Sequence, residues 1–230
     1  MDIEFELLKR MKAENGEDFF DTPTRLSSDE LDEALKTIVQ NYSFLHDGSE
    51  HTLEEEIEII KENMYVILDT LVRMGVHPGF IIAALTRYNF EKLKNKDRII
   101  YNNGRKKSSG VLFPYADVRR ELKLMNNFNY QGYRTDLSHC YDDILLMDKT
   151  LSLPYSKEPK KLDLSRKQAI YISITNQRNQ IANADDIIDE SIYIVDLLYT
   201  SVCMLVEMGI NPYKILINKI LEESEKGKLR

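Results

Sequence analysis

The chain is short of the residues that build most small scaffolds. Two cysteines, Cys140 and Cys203, stand in 230 residues, too few for a disulfide framework. Six prolines and nine glycines argue against a turn-rich sandwich or a collagen-like chain. No run of about 18 apolar residues occurs, so no membrane-spanning segment is expected. The first twenty residues, MDIEFELLKRMKAENGEDFF, carry acids and bases throughout and lack the apolar centre of a signal peptide. Together with the scarce cysteines this leads us to expect a cytoplasmic protein. A basic excess is also missing: 31 Lys and Arg stand against 38 Asp and Glu, a net charge of −7. That argues against general nucleic-acid binding, which needs cations to neutralise phosphates. There is no Gly-x-x-x-x-Gly-Lys phosphate loop and no dinucleotide fingerprint. The four histidines, His46, His51, His77 and His139, show no zinc spacing. His46 and His51 flank one loop, where a surface role is expected.

What is present is helical periodicity. Ile3, Leu7, Leu8 and Met11 form one stripe at i, i+3/i+4 spacing over residues 2–14, with Phe5 at its edge. Asp21-Thr22-Pro23 is a stop and restart. A second helix is predicted at about 27–43, with Ser27 or Ser28 as N-cap and Glu30 completing a capping box with Ser27. HDGSEHT (46–52) reads as a loop. A long third helix runs from about 53 to 75 and ends at Gly75, and Pro78 opens a fourth at about 78–94. Residues 101–117 and 126–136 read as irregular connectors, with a short helix at 118–126. Helical signals resume at 137–150, 164–183, 185–209 and 212–228. No segment alternates as a strand would, so an all-α fold is expected.

The two halves resemble each other. LVRMGVHP (71–78) matches LVEMGINP (205–212) at an offset of 134. The same offset brings Glu55-Glu56 onto Asp189-Glu190, Ile60 onto Ile194, Glu62 onto Asp196 and Tyr65 onto Tyr199. The expectation is two tandem four-helix units, 1–125 and 126–230, packed as one pseudo-twofold helical bundle. The long helices 53–75 and 185–209 are expected to be its central pair. Whether two such chains pair again is left open.

The acids are the chemical feature. Asp29, Glu30 and Glu33 open the second helix, and Glu30 and Glu33 share a face. Glu55, Glu58 and Glu62 form a stripe on the third helix that continues through Tyr65 and Asp69. Acids on two antiparallel helices could converge in the groove between them and hold a hard cation such as Mg²⁺ or Mn²⁺. The alternative is that they are solvated faces placed near helix N-termini, where acids favour the macrodipole.

Glu30-x-x-Glu33 on one helix, then an acid on the next thirteen residues before Gly75, resembles the all-α nucleoside triphosphate pyrophosphohydrolases. These are the MazG-like and phosphoribosyl-ATP pyrophosphohydrolase-like proteins, whose pattern is Glu-x-x-Glu, a spacer, then Glu-x-x-Asp. Glu62 takes the place of the final Asp. Ile59 stands where the family has Glu, with Glu58 beside it. Arg25 precedes the acidic pair as in family members. Asn89-Phe-Glu-Lys92 is similar to the family's Asn-x-x-Lys, and NGRKKSSG (103–110) to the basic tail of the phosphoribosyl-ATP-like branch. In the second half Asn176, Gln177 and Gln180 fall where the family has Glu-Glu-x-x-Glu, so this copy looks degenerate.

The resemblance implies a Mg²⁺-dependent (or Mn²⁺-dependent) nucleotide pyrophosphohydrolase that cleaves between the α and β phosphates. Glu30, Glu33 and Glu62 would hold the metal, with Glu58 assisting. Arg25, Asn89, Lys92 and Arg105 would bind phosphate oxygens. The alternative is a catalytically inactive nucleotide-binding or regulatory protein on the same fold, and a purely structural helical module is the third reading.

Overall fold

The computed structural model describes residues 3–79, 81, 82, 85, 101–102, 105–106 and 156–228. Helix α1 (Ile3–Asn15) buries Phe5, Leu8 and Met11. The buried stripe is centred one residue away from the expected one, so Ile3 is exposed and Phe5 is inside. Helix α2 (Ser28–His46) buries Leu31, Leu35, Ile38, Tyr42 and Leu45, an unbroken i, i+3/i+4 series that turns one face inward. Its N-terminus carries the expected capping box of Ser27 and Glu30. Helix α3 (Leu53–Arg73) starts with a second box, Thr52 with Glu55. Each box satisfies two backbone N–H groups that the first turn would otherwise leave unpaired.

Past α3, Pro78, Gly79, Ile81, Ile82 and Leu85 are helical, as the fourth-helix expectation requires at its start. The expected connector 101–117 is partly corrected. Two short strands, β1 (Tyr101–Asn102) and β2 (Arg105–Lys106), pair antiparallel. The Asn103-Gly104 dipeptide between them is a strong hairpin signal. The expectations for 86–100 and 107–155 lie outside the described residues. The chain then builds α4 (Leu164–Ala182), α5 (Ile187–Glu207) and α6 (Pro212–Lys228).

Four of these helices close a ring. α2 packs on α3, α3 on α5, α5 on α4, and α4 back on α2. The direction of each pair follows from the chain and from named contacts. α2–α3 and α4–α5 are helical hairpins. His46, at the end of α2, stacks on Tyr171, near the start of α4. Arg25, just before α2, donates to Ala184 O, just after α4. Neighbours around the ring therefore run antiparallel, the arrangement of a four-helix bundle. α1 and α6 lie outside it, packed on each other and on α3. As expected, α3 and α5 form a central pair. Ile60, Leu71, Val72 and Met74 are buried, and so are Ile194, Leu205, Val206 and Met208. Among the described residues, no single helix is long and apolar enough to cross a membrane.

Both long helices end alike. Gly75 and Gly209 take positive φ of 67° and 76°, a conformation that a Cβ penalises. Space excludes one as well. A Cβ at Gly75 would sit 2.5 Å from Phe20 O and 2.8 Å from Thr22 O. At Gly209 it would sit 2.8 Å from Glu158 O and 2.9 Å from Ser156 O. In both cases the obstacle is backbone, which cannot rotate away as a side chain can. Gly75→Ala is expected to cost about 2–4 kcal/mol of unfolding free energy, and Gly209→Ala a similar amount, measured by urea denaturation.

Candidate functional site

The acids proposed from sequence lie at different levels of the bundle. Glu30 caps α2 and its carboxylate also meets Arg73 at the far end of α3. Asn41 Nδ2 donates to Asn63 Oδ1 at 2.8 Å. These two contacts fix the register of the hairpin. Glu62 is eleven residues before Arg73, which puts it about 16 Å along α3 from the level of Glu30. Glu33 is exposed, and three residues along α2 it is still about 12 Å from the level of Glu62. Ligands of one Mg²⁺ each sit about 2.1 Å from it, so these acids do not converge as the sequence suggested. Among the described residues, no three His, Cys, Asp or Glu side chains come together around a metal-sized centre.

Glu30, Glu58 and Glu62 instead each have their own cation or cap. Glu58 pairs with Lys61 at 2.7 Å. Glu62 pairs with Lys219 of α6 at 2.5 Å. The capping bonds of Ser27, with Arg73 nearby, hold the Glu30 carboxyl below the usual carboxylate range. Thr52 does the same for Glu55. Arg25, expected to face substrate, crosses to the other hairpin. Its Nε donates to Glu190 Oε2 at 2.7 Å. Asn89 and Lys92 lie outside the described residues. Arg105 is described only as part of β2.

The register also corrects the alignment of the two halves. α3 and α5 are each 21 residues long and start 134 apart. α2 and α4 are each 19 residues long but start 136 apart. The connection before α5 is thus two residues shorter. Gln177 therefore corresponds to Asn41, not to Glu30 or Glu33. The contacts agree: Gln177 Nε2 donates to Asp196 Oδ2 at 2.6 Å and to Thr200 Oγ1 at 3.2 Å. In the first half the amide of Asn41 meets Asn63, the neighbour of Glu62, and in the second that of Gln177 meets Asp196 itself. An amide offers a neutral oxygen and two N–H donors where a cation site needs charge.

Sequence reasoning missed a polar seam between α1, α3 and α6. Lys12 reaches Asp69 at 2.5 Å and Glu17 at 2.7 Å. Lys219 holds Glu62 and Glu223, and its ammonium lies 5.5 Å from the Tyr65 ring centroid. Burial pushes the Asp69 carboxyl above its ordinary range despite Lys12. Burial, reinforced by the surrounding acids, raises the Tyr65 phenol. The signal was available: Lys12 and Lys219 fall on the apolar stripes of their helices, beside Leu8 and Leu216. A lysine placed there must bury its stem and find an acid. Along the seam each lysine is shared by two acids.

A second polar layer crosses the bundle interior. Tyr42 Oη lies 2.6 Å from Ser201 Oγ, joining α2 to α5. Ser201 Oγ also donates to Leu197 O, so the phenol is the donor in the bond to Ser201. Burial pushes the Tyr42 phenol up to about 12. Of the two histidines expected in surface loop roles, His51 has one, whereas His46 ends α2 and packs against the other hairpin. His46 stacks on Tyr171, with ring centroids 3.8 Å apart. The His51 ring bonds Ser49 and Phe44 O.

Fold and site together define an all-α helical bundle in which Glu30, Glu58 and Glu62 are held by a cap or an ion pair. No family model, curated protein or solved structure matches this chain.

Proposed function

We propose that this chain is a nucleotide-binding or regulatory protein that keeps the helical frame resembled by the all-α nucleoside triphosphate pyrophosphohydrolases without their phosphoanhydride chemistry. The observation that carries this reading is the register of the hairpins. It sets the amide of Gln177 against Asp196 and that of Asn41 against Asn63, the neighbour of Glu62, and it separates Glu30 and Glu33 from Glu62. A donor set of that kind does not fit Mg²⁺, so no hydrolytic step is assigned to these residues. The nucleotide part of the reading rests on the resemblance of Asn89, Lys92 and the basic segment 103–110 to the family's phosphate-binding residues.

The test is turnover against binding. Released pyrophosphate is measured with inorganic pyrophosphatase and malachite green over a panel of NTPs and dNTPs with Mg²⁺. Thermal melts are run on the same panel. The expected result is no turnover, with a rise in melting temperature for at least one nucleotide. Turnover that Glu62→Gln abolishes would establish the hydrolase reading instead. Neither turnover nor a shift would leave a structural helical module.

A further inference from the structure

We propose that the chain is a dimer folded into one polypeptide: the α2–α3 hairpin is a docking surface for a second hairpin of the same kind, which α4–α5 supplies. Association of the two would then be carried by their faces and not by the segment that connects them.

The argument starts from the details that recur. The paired helices have equal lengths, 19 and 19, 21 and 21 residues. Each hairpin is braced by the same backbone bond into the end of its long helix. Thr24 N–H donates to Met74 O, and Lys160 N–H donates to Met208 O. The two donors are 136 apart and the two acceptors 134 apart, the same offsets as the helices themselves. Helix propensity alone does not reproduce a loop-to-helix bond at matched positions.

The contacts between hairpins are reciprocal. Arg25, just before α2, donates to Ala184 O in the connection that leads into α5. Lys161, its equivalent at an offset of 136, donates to His51 O at the start of α3. Glu56 and Glu190, equivalent at 134, each sit buried in the opening turn of a long helix. Each is held by a cation of the other hairpin, Glu56 by Lys167 and Glu190 by Arg25. The two acids are equivalent and so are Arg25 and Lys161, although Lys167 corresponds to Leu31; a twofold relation produces such reciprocal contacts across an interface.

A further contact departs from the exchange and selects the occupant. The equivalents of Tyr42 and Ser201 are Arg178 and Ile67. Two first hairpins docked together would set the Tyr42 hydroxyl against Ile67, a buried donor without an acceptor. One hairpin of each kind satisfies it. The partner that fits α2–α3 is thus the second hairpin of this chain, not a second copy of the first.

The test uses the full chain with a protease site inserted in 126–136 and cut after folding. The two fragments are expected to co-elute, with the native mass of one uncut chain, one N-terminal and one C-terminal fragment in each particle. The cut protein should melt in one transition whose midpoint rises with concentration. Fragments that separate, or melt independently, overturn the proposal. Particles made of two identical fragments overturn its one-of-each clause. Should cutting precipitate the protein, the uncut chain still decides. Gly75→Ala and Gly209→Ala should each move a single shared transition, and two resolved transitions, each answering to one substitution, overturn it.

Discussion

Replacing Lys167 with methionine is expected to lower the unfolding free energy by about 3–5 kcal/mol at neutral pH. Glu56 is 1% exposed and Lys167 10% exposed, so water cannot replace the lost ammonium. The carboxylate keeps one buried oxygen that already lacks a hydrogen bond and loses the partner of the other. Methionine retains most of the stem volume, which isolates the charge from the packing. The control is Lys167→Met with Glu56→Leu, which removes both charges and should regain most of the loss. Urea denaturation of the two singles and the double gives the coupling. A single-site loss below about 0.5 kcal/mol, the level of an exposed pair, would show that Glu56 is solvated.

The reciprocal site answers differently, because Arg25 is 46% exposed. Arg25→Met should cost less than Lys167→Met. It also carries a pH signature. Burial holds the Glu190 carboxyl above its ordinary value, outweighing Arg25. A carboxyl raised in the folded state binds its proton more tightly folded than unfolded. It therefore adds stability as pH falls through its folded pKa, and that gain is lost above it. Without Arg25 the rise is larger. The variant should recover stability relative to the native chain as pH is lowered from 7 towards 5, measured as melting temperature against pH.

A chain stopped after residue 125 is expected to lose its monomeric fold. α3 is covered on one side by α5 and on another by α6, and both come from the second half. Removing them uncovers the side of α3 on which Ile60, Met64, Ile67, Leu68 and Leu71 lie fully buried. It also uncovers the stems of the polar seam, because Lys219 leaves with α6. A continuous apolar face of that kind drives self-association. Light scattering should show oligomers or aggregate, with bound hydrophobic dye. A 1–125 fragment that is monomeric and melts cooperatively would make the halves independent domains.

Most helices were legible in the chain because their apolar residues recur at helical spacing and their ends carry capping chemistry. Ser27 with Glu30, and Gly75, placed two ends within a residue or two. The sites were less legible, for physical reasons. An acid at position N3 of a helix reads equally as ligand or as cap, and only the partner's location decides. Glu30 is consumed by Ser27 and Arg73. The family pattern aligned Gln177 with Glu30, but the matched bounds of α2 and α4, 136 apart, set it eleven residues further along, at Asn41. A short motif leaves the helix bounds open, so the structure was needed to see it. Glu56 and Glu190 were visible as a repeated acid four residues before Ile60 and Ile194. Their burial was not, since the cations that permit it lie more than a hundred residues away.

Those separations bear on how the chain is made. Lys167 meets Glu56 across 111 positions, and Arg25 meets Glu190 across 165. Each hairpin is built from local contacts and can form early, whereas docking waits for remote partners. During synthesis at about 5–20 residues per second, α3 emerges on the order of ten seconds before α5. For that interval the side of α3 that α5 covers in the folded chain lacks that partner. The nascent first hairpin is then a stage exposed to aggregation, and slowing translation beyond α3 lengthens the exposure.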